Sequence, residues 1–234
     1  MSIEFEFSKN ALYYGEYATI QKAVTRELLL SVTNQPKRIL DLGCGEGGVY
    51  RAIDWEVEHF LGVDFAKNML ELHPKDSHVE CIYGNFNDPE LYSHLSSLYS
   101  FDYIVSSSAL QWADSLEKVF QCIALFDTPY ALAVFTSNTF KTLHLTANIS
   151  SPIRPSSEVI ATAKKILCCK CYTKKYKLHF SDTLEMLRHI KKSGVSGARN
   201  ILGYRQIKEL MKNYPLDYLE FEVVFVRSTS FSKE

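Results

Sequence analysis

Gly43, Gly45 and Gly48, three of the four glycines in a stretch of six residues, end a short apolar run, Arg38-Ile39-Leu40-Asp41-Leu42. Two carboxylates stand with them: Asp41 lies two positions before the first glycine, and Glu46 lies inside the loop. The stretch reads as strand, tight turn and opening helix. Glycine there permits positive φ and lets a ligand touch backbone, and amides at the start of the helix form a hydrogen-bonding cradle. The spacing matches a dinucleotide fingerprint, and the acidic residue expected about 20 positions further on is present as Asp64, after Phe60-Leu61-Gly62-Val63.

Charge separates the ligands such a loop could hold. No Lys or Arg lies between Arg38 and Arg51. A diphosphate would meet Asp41 and Glu46 unfavourably, whereas a ligand carrying an ammonium and a sulfonium would be attracted. The loop therefore suits S-adenosylmethionine better than NAD, with Asp64 placed for a bidentate bond to ribose hydroxyls. Asn85 can accept from an adenine amino group and Phe86 can stack on the ring. The hydroxyls of Ser106, Ser107 and Ser108 leave room for a ligand at a strand end.

These residues need a scaffold, and the spacing of apolar runs supplies one. Helical periodicity covers Phe7 to Leu30, where Tyr13, Tyr14 and Tyr17 cluster. Strands are expected at the glycine loop, before Asp64, at Val79–Tyr83, Phe101–Val105 and Tyr130–Phe135, alternating with helical stretches, which argues for a parallel sheet covered on both faces. Regularity breaks from Thr136 to Pro155. A helix over about 156–167, a strand over Lys174–Phe180, helices over Asp182–Lys192 and Tyr204–Asn213, and an antiparallel strand over Leu216–Val226 complete the chain.

The 234 residues, 46% of them apolar, support one domain with a sizeable core. No apolar run approaches the ~18 residues of a membrane span, and the opening Met1-Ser2-Ile3-Glu4 is not a basic leader, so a cytoplasmic setting is expected. Net charge is −1, yet residues 141–192 hold eleven Lys or Arg against three carboxylates. A positive field of that size favours an acidic partner. Cys168, Cys169 and Cys171 lack the spacing of a metal site and read as small apolar positions on a strand, so no metal is expected.

With those pieces placed, Leu40-Asp41-Leu42-Gly43-Cys44-Gly45-Glu46-Gly47, and Gly62-Val63-Asp64 with Met69, resemble the class I S-adenosylmethionine-dependent methyltransferases. Phe7-Ser8-Lys9-Asn10-Ala11, Tyr14, Ala18 and Gln21 are similar to the opening of the malonyl-acyl-carrier-protein O-methyltransferases of biotin synthesis. So are Ser108-Ala109-Leu110-Gln111-Trp112, Phe135-Thr136-Ser137 and Leu187-Arg188-His189-Ile190-Lys191. The resemblance implies a three-layer Rossmann-like α/β fold with a mostly parallel seven-stranded sheet and an antiparallel last strand. Residues 1–30 would form a helical cover, 31–137 the cofactor-binding core, 138–170 a substrate lid, and 171–234 the rest of the sheet. Asp41, Gly43, Cys44, Gly45, Asp64, Phe65, Met69, Asn85, Phe86 and Ser106 would hold S-adenosylmethionine.

The same resemblance implies methylation of the free carboxylate of a malonyl thioester on acyl carrier protein, docked on the basic 141–192 region. A carboxylate is already ionised at pH 7 and needs no general base, and His144, His179 and His189 are read as structural or exposed. Arg188 or Arg154 would orient the acceptor bidentately, with a hydroxyl from Tyr14. Tyr14 and Arg188 are the expected catalytic residues, and Gln21, Trp112 and Arg154 the further substrate contacts. The alternatives are a methyltransferase for another small carboxylic acid, a quinone-type ring or RNA, and a module that binds S-adenosylmethionine without reacting.

Overall fold

Period-two burial explains the central strands. On β1 (Arg38–Leu42) Leu40 and Leu42 face one layer and Ile39 the other, and all three are buried. The same alternation recurs on β2 (His59–Asp64), β4 (Tyr103–Ser107) and β5 (Tyr130–Phe135), every residue of β5 being buried. Strands buried on both faces belong in the middle of a covered sheet. A computed structural model describes residues 18–193 and 202–229. It forms a seven-stranded sheet in the order β3-β2-β1-β4-β5-β7-β6, with β3 at Val79–Tyr83, β6 at Cys169–His179 and β7 at Tyr218–Ser228. β1 to β5 pair in parallel, and β7 runs antiparallel to both β5 and β6.

Helices cover both faces. Against Leu40, Leu61, Ile104 and Leu132 lie α4 (Pro89–Leu98), α5 (Leu116–Ala124) and α7 (Ser156–Ile166). Against Ile39, Phe60, Val105 and Phe225 lie α1 (Thr19–Leu29), α2 (Gly48–Ala52), α6 (Lys141–Thr146), α8 (Thr183–Ser193) and α9 (Tyr204–Asn213). A short α3 (Lys67–Leu72) follows β2. Capping chemistry sets the starts: Asp88 accepts from the Glu90 amide at 3.0 Å with Pro89 in the first turn, and Ser115 accepts from Lys118 at 3.3 Å. No helix among the described residues is long and apolar enough to cross a membrane.

The structure departs from the sequence reading in three places. The irregular stretch 136–155 contains α6, six residues that are too few to show periodicity. The helix over 156–166, expected within a lid, buries Val159 and Ala163 against the sheet and is a crossover helix of the core. β6 begins at Cys169, five residues before the expected Lys174 start; Cys169 and Cys171 pack partly buried against the core while Lys170 faces out, as expected of small apolar positions on a strand. The N-terminal helix is seen from Thr19; Tyr14 and the other tyrosines before it lie outside the described residues.

Candidate active site

The sheet order turns outward in both directions from β1 and β4, and ligands of open α/β sheets bind beyond the carboxyl ends of strands at such a point. A cavity of about 270 Å³ opens there, closed on one side by Ala18, Gln21 and Thr25 of α1. The hydroxyls of Thr25 and Ser107 are hydrogen-bonded at 2.9 Å, which fixes α1 to the end of β4.

The glycine loop is held from behind. The amides of Gly43 and Cys44 both donate to Val63 O, at 2.8 and 3.1 Å, so the turn is tied to β2. Gly43, Gly45 and Gly47 take φ of 76°, 54° and 87°. The third left-handed position is thus Gly47, while Gly48 opens α2. A Cβ on Gly43 would fall 2.2 Å from that of Ala109, whereas one on Gly45 or Gly48 would meet nothing within 4 Å. Bare backbone at Gly45 and Gly48 therefore faces open space, the cradle a ligand would fill.

Two buried carboxyls form the floor. Asp64 accepts from the Gly45 amide at 2.9 Å and from the Ala66 amide at 2.8 Å, so one side chain sets both the loop and the start of α3. Burial raises its pKa, and backbone amides at Ala66, Gly45 and Phe65 oppose that. Asp41 is fully buried and neither of its oxygens has a partner. Burial, and then the nearby charge of Asp64, push its pKa well above the ordinary carboxylate value. An orphaned carboxyl in a cavity floor is the acceptor that an ammonium group would complete. Cys44 is buried beside them with its thiol held protonated by desolvation.

Most of the residues expected at the cofactor meet here. Asp41, Gly43, Cys44, Gly45, Asp64, Phe65, Met69 and Phe86 all line the cavity, with Phe65 edge-on to Phe86 at 6.5 Å between ring centroids. Asn85 and Ser106 do not. Asn85 is exposed, and its side-chain oxygen accepts from the Asn87 amide at 2.9 Å, closing a turn. The Ser106 hydroxyl is buried and donates to Leu42 O at 2.6 Å, tying β4 to β1. Ser107 and Ser108 line the cavity in its place.

Of the expected substrate contacts, Gln21 and Trp112 line the same cavity. Arg154 is engaged elsewhere: its guanidinium donates to the carbonyls of Ala113 and Asp114, at 2.8 and 3.0 Å, and pairs with Glu158 at 3.2 Å. Arg188 is exposed on α8 and lines neither this cavity nor its neighbour. Tyr14 lies outside the described residues.

Lys22, Arg26 and Arg51 also line the cavity, a feature the local sequence around the loop hides. All three are exposed, whereas Asp41 and Asp64 are buried, so negative charge lies deep and positive charge at the rim. Glu46, half-buried between them, has its pKa raised by burial against the pull of Arg51 and Lys22. A ligand with an amino-acid end, ammonium inward and carboxylate outward, matches that gradient. The depth of the charges, rather than the absence of cations, favours S-adenosylmethionine over a diphosphate here.

Comparison with known proteins agrees. Residues 39–126 match the family model described as a methyltransferase domain. The chain is 25% identical over 221 residues to the malonyl-[acyl-carrier protein] O-methyltransferase of Bacillus cereus, covering 84% of this chain and 81% of that one. It resembles the crystal structure of the YcgJ protein from Bacillus subtilis with a TM-score of 0.61 at 15% identity, over 88% of this chain and 98% of that one. It also resembles geranyl diphosphate methyltransferase in complex with S-adenosylmethionine, with a TM-score of 0.53 at 14% identity, over 89% and 85% of the two chains.

Proposed function

We propose that the chain, an S-adenosylmethionine-dependent methyltransferase, methylates the free carboxylate of a malonyl group carried as a thioester on an acyl carrier protein, an early step of biotin synthesis. The name shared by relatives that match most of the chain carries this reading. Bound S-adenosylmethionine supplies a methyl group on a sulfonium, and its displacement requires a nucleophile held in line about 3–3.5 Å away with water excluded. Asp41 and Asp64 would hold and orient the donor from below, and Gln21 and Trp112, which line the same cavity, would meet the acceptor. A carboxylate acceptor arrives ionised and needs no base.

Register limits which cations can meet a carrier protein. β6 runs in the direction of β5, with Cys169 opposite Ser228 and His179 opposite Tyr218 on β7. Lys164, Lys165 and Lys170 therefore sit toward the end of the sheet away from the cavity, and Lys141, Lys175 and Lys177 toward the cavity end. Lys174 pairs with Glu27 at 2.6 Å, Lys175 with Glu222 at 3.8 Å and Lys165 with Glu117 at 2.8 Å. Our reading puts docking on the remaining cavity-end lysines, Lys141 and Lys177, a part of 141–192. The test is incubation of S-adenosylmethionine with malonylated carrier protein and mass measurement: one added methyl, removed by mild alkali, is expected. An unmodified carrier alongside methylation of a free short acid would replace this reading with that of a small-acid methyltransferase.

A further inference from the structure

A second cavity of about 50 Å³ lies against the first, and Trp112 lines both. Phe135, Phe140, Leu143, Ile153 and Ile190 make its walls apolar. Three of its lining residues each carry a buried polar atom without any partner: Gln111 Oε1, His144 Nδ1 and Ser151 Oγ. Folded interiors leave few such groups unpaired, so three on the residues of one chamber mark a place where something else supplies the hydrogen bonds. His144 is only 9% exposed, and burial lowers its pKa, so the imidazole presents a neutral donor and acceptor.

The chamber is held in register with the donor cavity. The Gln111 amide donates to Ser108 O at 2.6 Å, and Ser108, at φ 63°, lines the donor side. Thr139 donates to Glu222 O at 3.2 Å and the Phe140 amide to Glu220 O at 2.8 Å, which seats the start of α6 on β7. α6 in turn carries Leu143 and His144 into the chamber.

We propose that this chamber seats the acyl portion of the methyl acceptor, a chain of about two to four carbons with one carbonyl or carboxyl oxygen. His144 and Ser151 donate to that oxygen, and Leu143 and Ile153 set the length of chain that fits. This rests on the acyl-acceptor reading above and goes beyond it by fixing where the chain lies and what limits its length.

Two measurements separate the chamber from that reading. The first compares malonyl, succinyl and glutaryl carrier protein as acceptors. Leu143→Ala should raise the glutaryl-to-malonyl ratio of kcat/KM about tenfold, and Ser151→Ala should lower kcat/KM for malonyl about fivefold, with donor Kd unchanged in both. The second uses Trp55→Phe enzyme saturated with S-adenosylhomocysteine, leaving Trp112 as the tryptophan signal, titrated with free malonate, succinate and glutarate. Saturable quenching that Ser151→Ala weakens about fivefold is expected. Quenching of this kind without methylation of any carrier would remove the carrier reading and keep the chamber. Carrier methylation with an unchanged length ratio, and quenching absent or indifferent to Ser151→Ala, would overturn the chamber alone.

Discussion

Replacing Asp41 by Asn should make the ligand-free enzyme more stable and the donor bind more weakly. The carboxyl is fully buried, both oxygens lack partners, and Asp64 lies close enough to raise its pKa further. An isosteric amide removes the ionised form from that site. The amide is as unpaired as the acid it replaces, so the gain comes from removing a group that must either ionise without a partner or hold a proton, and Tm should rise by an amount that grows with pH. Binding moves the other way. A hydrogen bond between charged partners is worth about 1.5–3 kcal/mol, so losing it weakens S-adenosylmethionine by roughly 10- to 150-fold.

The pH dependence follows from the same residue. Its folded pKa lies above the 3.8 of an unfolded aspartate, so the stability its protonated form contributes is complete below about pH 4 and is lost as pH rises through the folded value. An ammonium needs the carboxylate ionised, so donor affinity should rise with pH over that interval and binding should release a proton there. Asp41→Asn should flatten both trends. Scanning calorimetry of the ligand-free protein and titration calorimetry in buffers of different ionisation enthalpy measure the two effects. A variant with unchanged Kd and an unchanged or lower Tm would refute the assignment of Asp41 to the donor's ammonium.

Three further outcomes are expected. Gly43→Ala should cost about 2–5 kcal/mol in denaturant unfolding, since its Cβ would lie 2.2 Å from that of Ala109 at a left-handed φ; Gly45→Ala, open on that side, should instead weaken donor binding with at most about 1–2 kcal/mol of lost stability. Ser106→Ala should destabilise by about 1–2 kcal/mol, by losing the buried bond to Leu42 O, and leave donor Kd within twofold, because the hydroxyl holds strands rather than ligand. Lys141→Ala with Lys177→Ala should raise KM for carrier protein several-fold at low salt and little at high salt, while Lys164→Ala with Lys170→Ala should not; equal effects would show that docking does not follow the end of the sheet that holds the cavity.

The sequence made the central sheet legible because its signals are local. Apolar runs of five or six residues, glycines at the β1 turn and an acid at the end of β2 each fix one element or one contact, and the cofactor cradle is built from those three. The expected residues that do not line the cavity share a different property. Ser106 and Ser107 are adjacent and of one type, but alternation on β4 turns the first toward Leu42 and the second toward the cavity. Asn85 has the chemistry for an adenine contact and uses it on the Asn87 amide. Arg154 carries the right fork for a carboxylate and spends its donors on two backbone carbonyls forty positions away in sequence.

Residues of the acceptor side were harder to read for the same reason. His144 offers no local pattern, because what makes it a candidate is the lack of a partner inside a chamber assembled from the end of β5, α6, the 149–153 turn, Ile190 of α8 and Leu202. Lys22 and Arg26 sit on a helix twenty residues before the glycine loop, and only the docking of α1 through Thr25 and Ser107 brings them to the rim. Local sequence therefore specifies the donor half, where one strand–turn–helix unit supplies most of the contacts. The acceptor half depends on long-range packing, and its specificity can drift through changes at Leu143, Ser151 or Ile153 that leave the glycine loop untouched.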